Sequence, residues 1–253
     1  MRILCSNDDG IFAHGLECLS TVAREFGDVT IVAPDREQSA TSHALTLHHP
    51  VRPTQVGPQR FQVDGTPTDC VMLGVEALME TRPDIVLSGI NHGQNMGEDV
   101  LYSGTVAAAM EGLVLGIPSV AFSYAGGDMR ADPERLSALA EPLRRVLGHL
   151  LALRPFPQDT LFNVNFPPLP PEEIRGVRLT RLGRRVFSNS IQPMNDPYGR
   201  KIYWIGAGSM SWTGGEDSDY RAIADGYISV TPLHLDLTHR SVLDTAADWW
   251  PNL

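Results

Sequence analysis

The sequence predicts an α/β fold: a Rossmann-like, mostly parallel sheet flanked by helices, with a smaller β-rich segment toward the C-terminal end. Three observations carry this. Short apolar runs of strand length alternate with amphipathic stretches of helical period, which implies βαβ units and right-handed crossovers. Each early run ends in a polar or glycine-rich turn. Near residue 175 the alternation stops, and strands separated by Gly-, Asn- and Asp-rich turns take over. The 253 residues, 42% hydrophobic and 20% charged, suffice for one large α/β domain with an appendage.

Taken in order, 2–6 is a short apolar strand closed by the turn cluster Asn7-Asp8-Asp9-Gly10. Leu16, Leu19, Val22, Ala23 and Phe26 recur at spacings of three and four, so 15–26 is an amphipathic helix. A buried strand follows at 29–33 and stops at Pro34. Residues 44–64 are β-branched and polar, read as a β-ribbon that interrupts the alternation. Helices are expected at 68–80, 105–115 and 133–153, with strands at 85–87 and 120–122. Beyond the change of pattern, 177–182, 201–205 and 227–231 read as strands and 242–250 as a short helix. The division expected is a catalytic domain over 1–175 and a hairpin-rich segment over 176–253 that serves oligomerisation. Trp249-Trp250 is a large apolar surface near a chain end, and burial against a second subunit is expected of it.

Composition excludes several classes. Acidic residues number 30 against 20 basic ones, a formal net charge of -10, and the only lysine is Lys201. Such a chain has no basic face to track a nucleic-acid duplex. No apolar run approaches the ~18 residues of a membrane span, and the N-terminal run is too short for a signal-peptide core. Cys5, Cys18 and Cys70 show no CxxC or metal spacing, and are expected to be reduced thiols in the cytoplasm. There is no GxGxxG opening a helix, no Gly-Lys pair for a Walker A loop, no GxSxG and no HExxH.

In an open parallel sheet, ligands gather beyond the carboxyl ends of the strands, so the chemistry is sought in loops 7–10, 34–42 and 88–104. Adjacent carboxylates at Asp8 and Asp9 repel unless a proton or cation lies between them, and a hard divalent ion suits an oxygen-rich site. The second loop brings a hydroxyl or an arginine to the same edge. The third is glycine-rich, offers the amides of Asn91 and Asn95, and leads through Ser103-Gly104-Thr105 into an alanine-rich helix. Free N–H groups and hydroxyls at a helix N-terminus make an anion site without any lysine. A side chain at Gly104 is expected to push a phosphate away while sparing a metal held on a different loop. Two carboxylates for a metal and a helix N-terminus for an anion together point to metal-assisted phosphoryl transfer to water.

Five motifs in this order resemble the SurE (survival protein E) family of metal-dependent 5′/3′-nucleotidases. They are Ile3-Leu4-Cys5-Ser6-Asn7-Asp8-Asp9-Gly10, residues 33–39, Gly65-Thr66-Pro67-Thr68-Asp69-Cys70-Val71, residues 88–112, and Tyr227-Ile228-Ser229-Val230-Thr231-Pro232-Leu233. The resemblance implies hydrolysis of nucleoside 5′- and 3′-monophosphates, with short polyphosphate as a further substrate. It implies one Mg²⁺ or Mn²⁺ per subunit on Asp8, Asp9, Ser39 and Asn91, and a phosphate-side loop of Asn95, Ser103, Gly104 and Thr105. Asp8 or Asp9 would also orient the attacking water. A homodimer or homotetramer, formed partly by swapped C-terminal elements, is implied too. Ala40 and Ala108 stand where the family commonly has glycine, and His14 where it has proline. Two rival readings are a phosphatase forming an aspartyl-phosphate, which usually wants Asp-x-Asp and a lysine partner, and a non-catalytic nucleotide-binding module.

Overall fold

The computed structural model describes residues 1–126, 133–153, 155–188, 191–206, 209–246 and 249. In β1 (Arg2–Ser6) the strand period of two sorts the side chains into separate layers. Ile3 and Cys5 pack with Leu16, Leu19 and Val22 of α1 (His14–Ala23) and Leu143 and Leu147 of α4 (Pro133–Leu151). Leu4 joins Val32, Val86, Cys70 and Val71 in a second cluster, on α2 (Pro67–Leu73) and Ala108 of α3 (Gly104–Val114). Helices thus cover both faces, which is why the central strands read as continuous apolar runs.

The remaining strands are β2 (Asp28–Pro34), β3 (Pro53–Gly57), β4 (Arg60–Val63), β5 (Ile85–His92), β6 (Ser119–Tyr124) and β7 (Leu161–Phe166). The later part adds β8 (Val177–Leu179), β9 (Arg184–Ser188), β10 (Ile191–Asn195), β11 (Lys201–Ile205), β12 (Ser209–Thr213) and β13 (Ile228–Leu233). Nine strands form one sheet in the order β3-β4-β2-β1-β5-β6-β7-β13-β8. From β4 to β7 every neighbour is parallel. β13 runs antiparallel to β7, and β8 parallel to β13. The chain builds outward from β1 through β2 to β4, then returns and builds the other way from β5. The crevice at the carboxyl ends of β1 and β5 is therefore the topological switch point.

The fold agrees with the expected class and differs from the expected elements in four places. The strand predicted at 85–87 runs on to His92, because β6 pairs with Asn91 and His92 beyond a register shift after Ser88. Gly89 makes the shift possible: it has φ +126, and a Cβ there would lie 2.3 Å from the carbonyl oxygen of Phe122. The ribbon expected over 44–64 is the hairpin β3–β4, which adds to the sheet edge beside β2. β7 was not expected. It is a central strand of the alternating pattern Leu161-Phe162-Asn163-Val164-Asn165-Phe166. In the C-terminal part, β9 pairs with β12 and β10 with β11, and a short helix α5 (Asp219–Ala224) precedes β13.

Ile191, Tyr203, Trp204 and Ile205 on β10–β11 are exposed. The terminal helix expected at 242–250 is α6 (Arg240–Ala246). Trp249 is 60% exposed, and Trp250 lies outside the described residues. No disulfide joins Cys5, Cys18 and Cys70. Among the described residues no helix is long and apolar enough to cross a membrane.

Candidate active site

β1 delivers its last residues into the crevice. Asn7 is fully buried, and its Nδ2 donates to the Gly10 carbonyl at 3.0 Å, closing a turn that projects Asp8 and Asp9. Asp8 is 4% exposed. One carboxylate oxygen accepts the Thr105 hydroxyl, and the Asp8 carbonyl accepts the Gln38 N–H at 2.7 Å. Burial, and after it the charge of Asp9, push the Asp8 carboxyl up to about 7, against hydrogen bonds from Thr105. A carboxylate so raised is relieved by a proton or by a cation.

Asp9 accepts the backbone N–H of His92 at 3.2 Å, and the His92 Nε2 lies 3.8 Å from the same oxygen. Asp9 lines a smaller cavity of about 370 Å³ with His14, Asp35 and Arg36. Asp8 lines the larger neighbour of about 1030 Å³, and His92 borders both.

That larger cavity gathers Asp8, Ser39, Asn91, Asn95 and Ser103 from three separate stretches of chain. Ser39 is exposed, its hydroxyl donating to Glu37 at 2.8 Å. The Asn91 amide nitrogen donates to the Gly93 carbonyl at 2.8 Å. Asn95 is buried and held from several sides. Its Nδ2 donates to Ser123 Oγ at 2.8 Å, and its backbone N–H donates to Asn165 Oδ1 at 2.9 Å. Its carbonyl accepts from the side chains of Asn163 and Asn165 at 2.8 and 3.0 Å. Ser103 is the N-cap of α3, with its hydroxyl accepting the Val106 N–H at 3.1 Å.

Gly104 and Thr105 sit differently from the expectation. The Thr105 hydroxyl is engaged by Asp8, and a Cβ at Gly104 would lie 2.7 Å from the Asp8 Cβ and 2.9 Å from its Oδ2. The glycine makes room for Asp8 itself. A side chain there would meet the Asp8 carboxylate first.

Sequence reasoning missed His92, Asp99, Tyr102 and Arg185, all on the cavity wall. The first three lie inside the loop already singled out. Arg185 comes from β9, some 80 residues on, and carried no local signal. Its guanidinium is paired with Asp99, and its backbone N–H donates to Glu98 at 2.6 Å. Asn163 and Asn165 were also missed, though polar residues alternating within an apolar strand were a readable sign of a buried network.

Asp8, Asp9, Ser39 and Asn91 could supply two carboxylates, a hydroxyl and an amide oxygen, a hard donor set suited to Mg²⁺ or Mn²⁺. Among the described residues no group of three or more His, Cys, Asp and Glu gathers as a metal cluster. The family profile described as Survival protein SurE matches residues 3–189. A protein named 5′-nucleotidase SurE from Gemmatimonas aurantiaca is 67% identical over 250 residues, 99% of each chain. Another of that name from Geobacter metallireducens is 49% identical, covering 98% of this chain and 97% of its own. The crystal structure of the SurE protein from Aquifex aeolicus superposes with a TM-score of 0.85 at 41% identity, over 98% of this chain and 99% of that one. With the profile spanning most of its length and relatives this similar end to end, the chain belongs to the SurE family.

Proposed function

We propose that this protein is a 5′-nucleotidase, a metal-dependent phosphomonoesterase that converts nucleoside 5′-monophosphates to nucleoside and phosphate. The observation that carries the reading is the convergence of buried Asp8 with the first turn of α3 in a cavity far larger than a phosphate needs. The names of the two relatives agree with it. Asp8, Asp9, Ser39 and Asn91 would hold one Mg²⁺ or Mn²⁺ per subunit. When bound, such a cation stabilises charge developing on the phosphoryl oxygens and activates the attacking water.

The chain's own contribution is positioning. Thr105 fixes Asp8 on α3, so the carboxylate and the positive end of that helix share one rigid reference. Asn95, immobilised by Asn163, Asn165 and Ser123, and Ser103 with the backbone of Gly104, face the phosphoryl group. Asp9 orients the water or shares that task with Asp8. The nucleoside occupies the remaining room beside Tyr102, Ile205 and Gly206. Arg185 is neutralised by Asp99, so phosphate affinity rests on the cation, backbone N–H groups and small polar side chains.

Nucleoside 3′-monophosphates and short polyphosphate present the same terminal group and complete the proposed substrate range. The exposed apolar residues of β10–β11 support a homodimer or homotetramer. The acidic charge and the reduced cysteines support a cytoplasmic enzyme without nucleic-acid or membrane partners. The test is phosphate release from AMP with Mn²⁺ and after exhaustive chelation, for the natural chain and for Asp9→Asn. The reading requires loss of turnover in both the chelated protein and the variant. Full activity without metal would overturn it, and a trapped phospho-aspartate would replace it with a covalent mechanism.

A further inference from the structure

Ser39 sits on a segment that leaves β2 after Pro34 and has no regular structure before β3 begins at Pro53. Ala40 and Ser42 on either side of Thr41 hold φ of +59 and +55, a left-handed backbone disfavoured for any residue with a Cβ. Such a segment keeps its shape only if the surrounding structure imposes it. Several fastenings do so, among them a bond from the Thr66 hydroxyl to the Ala44 carbonyl at 2.7 Å. The Gln38 N–H donates to Asp8 O at 2.7 Å, and the Ser42 N–H to Tyr102 O at 3.2 Å. The His43 ring meets Glu111 Oε2 at 2.8 Å. Thr46 donates its N–H and hydroxyl to Asp69 at 2.9 and 2.6 Å.

Asp69 has a local duty as the acid of the α2 capping box. Glu111 has none. It lies in the last turn of α3, beyond the alanine run, with its side chain 4% exposed, where an ionised carboxylate is costly without a hydrogen-bonding partner. His43 is that partner. The same helix, seven residues earlier, carries Gly104 and Thr105 against Asp8. One rigid element therefore touches Asp8 at its first turn and the Ser39 segment near its other end.

We propose that Glu111, acting through His43, is a positioning residue that sets Ser39 in register with Asp8. The inference rests on the reading of Asp8 and Ser39 as parts of one cation site. Removing such an outer support typically weakens metal binding by about 10- to 100-fold.

The experiment compares the natural protein with the double variant His43→Ala/Glu111→Ala, which leaves no buried charge stranded, and with Glu111→Gln, whose amide oxygen still accepts from the ring. Hydrogen exchange and Mn²⁺ titration are measured on each, with AMP turnover at limiting and saturating Mn²⁺. In the double variant, amides 37–46 exchange faster while α3 and the sheet stay protected. Its Mn²⁺ affinity falls about 10-fold, and saturating Mn²⁺ restores most of kcat. Glu111→Gln stays close to the natural protein. Unchanged exchange at 37–46 in the double variant overturns the proposal. So does faster exchange throughout α3 with Mn²⁺ affinity intact, which marks a role in stability alone. A natural protein that binds no Mn²⁺ refutes the cation reading instead, and loop exchange then decides by itself whether Glu111 anchors the segment.

Discussion

Gly104→Ala is the smallest change that tests the coupling between α3 and Asp8. The added Cβ would lie 2.7 Å from the Asp8 Cβ, 2.9 Å from Oδ2 and 3.1 Å from Cγ. Ordinary contact begins at 3.4 Å, so the nearest pair is about 0.7 Å too close. Asp8 is 4% exposed at the end of a central strand, and Gly104 opens a packed helix, so neither side yields cheaply. Overpacking of this kind costs about 1–3 kcal/mol, while the better helix propensity of alanine returns up to about 1 kcal/mol. The net loss of stability is therefore modest, and the protein stays folded. The carboxylate, however, shifts by several tenths of an ångström and its bond from Thr105 is strained. Misplacement on that scale costs about 10²-fold in turnover as it nears 1 Å. Calorimetry with Mn²⁺ and then with phosphate, alongside kcat/KM on AMP, reads the outcome. Both affinities should fall together, with a melting temperature close to that of the natural chain. Loss of phosphate binding with Mn²⁺ affinity unchanged would refute the reasoning, because it would show that Asp8 had not moved.

Ala40→Gly should stabilise the protein by up to about 1 kcal/mol, since a left-handed alanine costs more than the backbone entropy of glycine; thermal unfolding of the two chains checks it, and no gain would mean the φ is not strained in solution. Asn163→Ala leaves the buried Asn95 carbonyl one donor short and should cost about 1–3 kcal/mol, read by urea denaturation, with a lower affinity for phosphate if Asn95 also shifts. Tyr102→Ala removes an exposed ring from the proposed nucleoside wall. KM for AMP should rise several-fold while KM for p-nitrophenyl phosphate stays level, and an equal rise for both would place the nucleoside elsewhere.

Much of the fold was legible because its signals are local. Leu16, Leu19 and Val22 announce α1 by period alone, and Ile3 to Cys5 announce a strand buried on both faces. The loops searched for chemistry meet at one crevice because a parallel sheet puts them at one edge. β7 was missed because two asparagines break its apolar run, although both are fully buried and serve Asn95. The true end of β5 was missed because glycines at 89 and 93 read as loop, whereas pairing with β6 extends the strand to His92.

By itself, the order of residues determined the α/β class, the helices around the crevice, and the adjacency of Asp8 and Asp9. Each depends on neighbours within a few positions, where periodicity and turn chemistry act. Only the tertiary structure decided that Thr105 holds Asp8, that Gly104 is bare to admit that carboxylate, that Arg185 arrives from β9 already neutralised by Asp99, and that Glu111 reaches His43. Those pairs are separated by 68 to 97 residues. Such contacts are set by strand order and helix packing, and no local pattern in a single sequence encodes which distant side chains a folded sheet will bring within hydrogen-bonding distance.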